Sequence, residues 1–119
     1  MAQHNQLGKK GEQLAVDFLL KNDYEIMERN YRFDRAEVDI LAKKDTTLAI
    51  VEVKTRSSAD FGNPQDFVKP KQIKQLVKAV DEYVLVNNLD VEVRFDIIAL
   101  VKDGKHFKIE HLENAFYHF

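Results

Sequence analysis

The stretch "TLAIVEVKTR", residues 47–56, limits the fold more than any other segment of the chain. Side chains alternate across a strand. Leu48 and Ile50 therefore share a face with Glu52 and Lys54, and Ala49, Val51 and Val53 share the other. Both faces are apolar until Glu52. An edge or half-solvated strand would show polar residues along one whole side. A strand over 48–54 that is apolar on both sides needs cover on both, which places it at the centre of a layered α/β domain.

The rest of the chain supplies that cover. Helical spacing predicts a helix over about residues 7–21, with Leu7, Leu14, Ala15, Phe18 and Leu19 on one side. Gly8 and Gly11 lie on or near that side, where they would let backbone approach closely. A second helix opens at Pro70, a residue suited to a first turn, and runs to about Val86. Its stripe is Ile73, Leu76, Val77, Val80, Tyr83 and Val84. Further strands are expected in "YEIMERNYRF", over 37–42, over 91–101 and in "KHFKIEHL". "FDRA", "KKDTT" and "DG" at 103–104 mark the turns between neighbours. Residues 55–68 read as a loop, and loops of that length are often functional. The strand at 48–54, the second helix and the strand at 91–101 form a βαβ unit, so those strands should be parallel with a right-handed crossover. The expected fold is α/β, a mixed sheet with flanking helices in the order α-β-β-β-α-β-β.

The 119 residues suit one domain spanning 1–119. With 45% apolar and 32% charged residues the composition is that of a globular chain. There is no cysteine, which excludes disulfides, thiolate-held zinc and thiol nucleophiles. The absence fits a reducing compartment, and the polar start "MAQHNQLGKKGEQ" does not read as a signal peptide. The longest purely apolar run, "IIALV", is too short to span a bilayer. A cytoplasmic protein with no membrane partner is expected. The net charge of -2 argues against binding nucleic acid by bulk charge. Residues 54–78, however, carry six basic and two acidic side chains.

The acids inside the strands need an account. If 37–42 and 48–54 pair as a hairpin, residues whose numbers sum to about 91 lie opposite, give or take a slip of one or two. Asp39 then faces Glu52, and Glu37 faces Lys54. Glu37, Asp39 and Leu41 would share one face, and Val38, Ile40 and Ala42 the other. Facing like charges destabilise a sheet, so a shared proton, a lysine or a divalent cation must offset them. Mg²⁺ accepts two or three carboxylate oxygens plus water. A lysine two residues beyond a ligand could position a water or meet charge on a phosphate. On spacing alone the set stands equally as a metal site or as a structural ion cluster within a sheet.

"Glu52-Val53-Lys54" with Asp39 before it resembles the Asp…Glu-x-Lys motif of the restriction-endonuclease-like nucleases. Their core, helix–three strands–helix–strand, matches the element order above. A closer likeness runs along nearly the whole chain. "GKKGEQLA", "RNYR", "AEVDIL", "VEVKTR", "RFDII" and "HLENAF" resemble the YraN-like family of small bacterial predicted endonucleases. That family is itself similar to the archaeal Holliday junction resolvases. The resemblance implies that Asp39, Glu52 and the Val53 carbonyl are ligands of Mg²⁺ or Mn²⁺, and that Lys54 is the catalytic lysine. Glu12 matches an extra acid of the resolvase-like branch, which would bind or position a second metal or water. Ala36 stands where the family usually has glycine.

Other residues carry two readings. Glu12 could simply be an acid near a helix start. Lys71, Lys74 and Lys78 are either the solvated side of a helix or, within the basic segment, contacts to a phosphate backbone. Arg56 could contact phosphate or be surface charge. Glu37 is expected to pair with Lys54, Arg35 or Arg56, and Arg94 with Asp96. His111 and the other histidines show no metal-ligand spacing; packing is the expected role of His111. Tyr31, Phe61 and Phe67 are expected to pack rather than stack on bases. The resulting expectation is a metal-dependent endonuclease acting on DNA, including branched or structured DNA. By analogy with resolvases it would be a homodimer. The alternative is a non-catalytic nucleic-acid or protein-interaction module that keeps the fold. The intact set Asp39, Glu52 and Lys54 speaks against it, since unpaired buried charges are costly.

Overall fold

The structure, a computed structural model, describes residues 2–57 and 68–115, with side chains from Gln6 onward. The elements are α1 (Ala2–Lys21), β1 (Glu25–Phe33), β2 (Ala36–Lys44), β3 (Thr47–Arg56), α2 (Pro70–Val86), β4 (Glu92–Asp103) and β5 (His106–Leu112). The order matches the expectation. Helix α1 begins earlier than residue 7, because "AQHNQ" carries no apolar signal. Strand β3 runs on through Thr55 and Arg56, which were expected to start a loop. Most of that expected loop, including Phe61 and Phe67, lies outside the described residues.

The five strands form one sheet in sequential order. β3 is central, antiparallel to β2 and parallel to β4 across the α2 crossover. Two-residue turns close the hairpins at Asp34–Arg35, Asp45–Thr46 and Gly104–Lys105. The first residue of each turn has positive φ. Asp and Asn tolerate that region better than other side-chain-bearing residues. The same chemistry ends both helices. Asp23 (φ 70°) and Asn88 (φ 51°) are left-handed. Beyond them Tyr24 N–H bonds to Leu19 O at 3.0 Å and Leu89 N–H to Val84 O at 3.0 Å. Each is a Schellman closure with its apolar contact, built without glycine.

The helices cover opposite faces. Ala15, Val16 and Leu19 of α1 pack with Ile40, Ala42, Ala49, Val51, Ile98 and Leu100. Leu76, Ala79, Val80 and Tyr83 of α2 pack with Val38, Leu41, Leu48, Ile50, Phe95 and Ile97. β3 thus divides between the two cores as its alternation requires. β2 does not: Val38 joins Leu41 on the α2 side while Ile40 sits on the α1 side. The expected shared face of Val38, Ile40 and Ala42 is broken at Asp39. On β1, Tyr31 packs edge-on to Tyr83, with ring centroids 5.1 Å apart.

A buried polar network fastens β4 to β5 and to the chain after β5. Asp96 is fully buried on β4. It accepts from Arg94 at 2.9 Å and from the Asn114 backbone at 3.0 Å, and His111 Nε2 lies 2.8 Å away. Burial alone would raise its pKa, but His111, Arg94 and Asn114 together hold it below the usual carboxylate value. Arg94 also bonds the Tyr24 hydroxyl and pairs with Glu113. The Arg94–Asp96 bridge and the packed His111 are as expected.

Gly11 and Gly8 differ sharply. A Cβ on Gly11 would fall 1.9 Å from Thr55 Oγ1 and 2.9 Å from Thr55 Cβ, whereas one on Gly8 meets nothing within 4 Å. Only Gly11 is needed for close approach of α1 to β3. Gly8→Ala is expected to be neutral or to stabilise by up to about 1 kcal/mol through helix propensity. Gly11→Ala should destabilise by about 1–3 kcal/mol, since a β-branched side chain on a strand cannot swing away. Chemical denaturation of the two variants checks this, and adding Thr55→Ala should recover only part of the loss because Thr55 Cβ remains.

Candidate metal centre

The β2–β3 ladder ends at Ile40↔Val51, in the register whose numbers sum to 91. Beyond that point the strands part. The Val53 amide would bond to β2 if the ladder continued. Instead it donates to Asp39 Oδ2 at 2.8 Å. A side chain has replaced the strand as acceptor, so Asp39 and Glu52 are neighbours across a wedge and not a ladder pair. The same break removes the expected partnership of Glu37 with Lys54. Glu37 pairs with Arg32 at 2.7 Å, its direct cross-strand neighbour on β1.

Glu52 is almost wholly buried, 3% exposed, and its Oε1 has no hydrogen-bond partner among the described residues. A buried carboxylate oxygen without a partner is costly. Burial, then the nearby Asp39 charge, push the Glu52 pKa up to about 8 against the pull of Lys54. Burial likewise raises Asp39 to about 6; the Val53 amide and Lys54 oppose this, and Glu12 and Glu37 add to it. The pair cannot hold two negative charges comfortably without a further cation.

Beside the wedge is an open cleft of about 440 Å³, lined by Gly8, Lys9, Glu12, Asp39, Val53 and Lys54, with Thr55 and Arg56 at its end. Glu12 therefore sits in the second half of α1, well past its first turn, which removes the helix-start account of it. Its Oε1 accepts from Asn30 Nδ2 at 3.0 Å and lies 3.3 Å from Arg29 Nη2. Asn30 has φ 53° inside β1, between the pairs Arg29↔Ile40 and Tyr31↔Val38 and so level with Asp39. Arg29 and Asn30 were missed as site residues. The available signal was the pair "RN" in the middle of an otherwise alternating strand.

The structure thus brings together Glu12, Asp39, Glu52, Val53 and Lys54, with Arg56 near by. Arg56 also donates to the Thr55 carbonyl at 3.0 Å. Lys71, Lys74 and Lys78 face solvent from α2, and none lines the cleft. Lys78 lies 3.6 Å from Asp34. Among the described residues no three His, Cys, Asp or Glu converge tightly enough to hold a cation unaided. Two carboxylates and a carbonyl, all hard oxygen donors, would suit an ion that keeps several waters, which is the habit of Mg²⁺. The unpartnered Glu52 oxygen fits such a group.

The model of a family described as "Uncharacterised protein family UPF0102" matches residues 11–100, a span that contains every residue of the wedge. A UPF0102 protein of Flavobacterium psychrophilum is 65% identical, with all of both chains covered. One from Christiangramia forsetii is 64% identical over the same full span. One from Bacteroides fragilis is 50% identical, covering 98% of this chain and 97% of its own.

The raised carboxyl pKa fixes the sign of a pH effect. The folded state holds the Glu52 proton up to about pH 8, whereas an unfolded chain releases it near 4.5. Stability on this account is full below pH 4.5 and is lost as pH rises towards 8. Without divalent metal, thermal melting should therefore show Glu52→Gln gaining several degrees over the parent at pH 8 and little at pH 5.

Proposed function

The chain belongs to the uncharacterised protein family UPF0102, and on that premise we propose that it is a metal-dependent endonuclease that hydrolyses DNA phosphodiester bonds. Branched or structured DNA is the substrate class its resemblance to resolvases favours. The observation that carries this reading is the buried, unpartnered Glu52 oxygen beside Asp39, with Lys54 two residues on. A structural ion cluster would satisfy its own acids. Asp96 on the neighbouring strand β4 does so fully, and its pKa is lowered where those of Asp39 and Glu52 are raised.

Asp39, Glu52 and the Val53 carbonyl would hold Mg²⁺ or Mn²⁺. An extended residue turns its N–H and C=O to the same side of the strand, so the Val53 carbonyl shares the side of Asp39. The chemistry such an ion supplies is polarisation of the phosphodiester and activation of water. The chain's own residues do the remainder. Lys54 orients the attacking water and meets charge that develops on the phosphate. Glu12, tethered by Arg29 and Asn30, binds or positions a second ion or water at the mouth. Arg56 sits where a neighbouring phosphate would pass.

Two measurements test this. Mg²⁺ or Mn²⁺ at about 100 times its Kd should stabilise the protein by about 2.7 kcal/mol. The resulting rise in Tm should vanish in Asp39→Ala and Glu52→Ala. It should also shrink as pH falls from 8 through 6, because protonated Glu52 and Asp39 cannot bind metal. With Mn²⁺ and a panel of branched, single-stranded and duplex DNAs, Lys54→Ala should cut the cleavage rate about 100-fold or more. Cleavage undiminished in that variant removes Lys54 from the reaction, and no cleavage with no metal shift favours the non-catalytic module.

A further inference from the structure

Helix α1 has a cleft on each side of its first half. One is the wedge cleft; the other, about 630 Å³, runs between α1 and the β4–β5 hairpin, and Leu7 borders both. The second groove is lined by Gln6, Lys10, Ser57, Lys102, Lys105 and Phe107, with Gly104 at the hairpin tip. Among the described residues its lining contains no acid. That is unusual in a chain of net charge -2 whose residues 79–119 carry twice as many acids as bases. Four other basic side chains are held in ion pairs: Arg29 with Glu12, Arg32 with Glu37, Lys78 with Asp34, and Arg94 with Asp96 and Glu113. Lys10, Lys102 and Lys105 form no ion pair among the described residues and are exposed.

We infer that this groove, rather than the lysine side of α2, carries the phosphate backbone of the DNA whose cleaved bond lies in the wedge. The inference rests on the nuclease reading. Two walls of lysine, one on a helix and one on a hairpin, match the charge of a single phosphodiester strand and would neutralise it through counterion release. Gln6 and Ser57 add neutral hydrogen-bonding groups, and Phe107 offers a ring against which a base or sugar could rest. Passing Leu7, the strand would continue to Lys9, Lys54 and Arg56 in the wedge cleft. Lys71, Lys74 and Lys78 project from the helix that covers the opposite face of the sheet.

The test is fluorescence anisotropy with labelled single-stranded and four-way-junction DNA in EDTA, so that binding is read without cleavage. Lys102→Glu/Lys105→Glu should weaken binding about tenfold or more near 100 mM salt. It should also lower the slope of log K against log salt by about 2. Lys71→Glu/Lys74→Glu makes the same charge change on α2 and should have a clearly smaller effect. The milder Lys102→Gln/Lys105→Gln should fall between parent and charge reversal, and matched melting temperatures guard against unfolding. Parent-like binding by the groove variants, or an equal loss in the α2 variant, overturns the groove. If the parent still cleaves DNA with Mn²⁺ in that event, the nuclease reading stands and only the groove falls. If the parent neither binds nor cleaves any of these DNAs, both fall together.

Discussion

The Val53 amide needs an acceptor at the point where β2 and β3 part, and Asp39 supplies it through its side chain. Much of the candidate site depends on that substitution. Had the ladder continued, Asp39 and Glu52 would stand as a cross-strand pair of like charges, which sheets disfavour. Ending the ladder opens space while the Val53 amide stays satisfied. It also fixes the Asp39 carboxylate against the backbone of the residue between Glu52 and Lys54. The geometry of the acids is set by main chain, which is stiffer than a network of long side chains.

The two charged clusters of the sheet form an instructive pair. Asp96 is the more deeply buried acid, yet its pKa is lowered because Arg94, His111 and a backbone amide converge on it. Glu52 is buried nearly as completely and is left incomplete. The same chain therefore demonstrates how it satisfies an acid when structure is the purpose. The contrast is internal to the molecule, with one sheet and one kind of side chain in opposite states of completion.

Much of this was legible in the sequence, and the failures have physical reasons. The two-sided apolar run placed β3 at the centre, and the sum-of-91 register holds up to Ile40↔Val51. The break beyond it was not legible, because there the Asp39 side chain takes the Val53 amide, which alternation does not encode. Alternation rules assume extended residues, so they assigned Val38 and Ile40 to one face when the cores divide them. Among the described residues all six non-glycine residues with positive φ are Asp or Asn, and five lie in turns or helix ends where local chemistry explains them. Asn30 is the sixth, and it touches Glu12. A strained conformation without a turn to justify it is a marker of function that pattern reading passes over. Gly11 was found because glycine on a helix's apolar side has few other uses; Gly8 resembled it by position alone.

The sequential strand order bears on how the molecule assembles. β1, β2 and β3 are joined by two-residue turns, so their pairing closes short loops at small entropic cost. The parallel join of β3 to β4 must wait for the whole α2 crossover, and it is the non-local step of the fold. Every residue of the wedge, from Glu12 to Lys54, precedes that crossover. The site's frame is thus a local meander with α1 laid across it, while burial of Glu52 is completed when Ile97 of β4 docks beside it. Charge repulsion in the wedge then opposes the late, long-range event and spares the early, short-range one. A nascent chain can form the meander with its acids still hydrated and meet the cost of desolvating them only on closure.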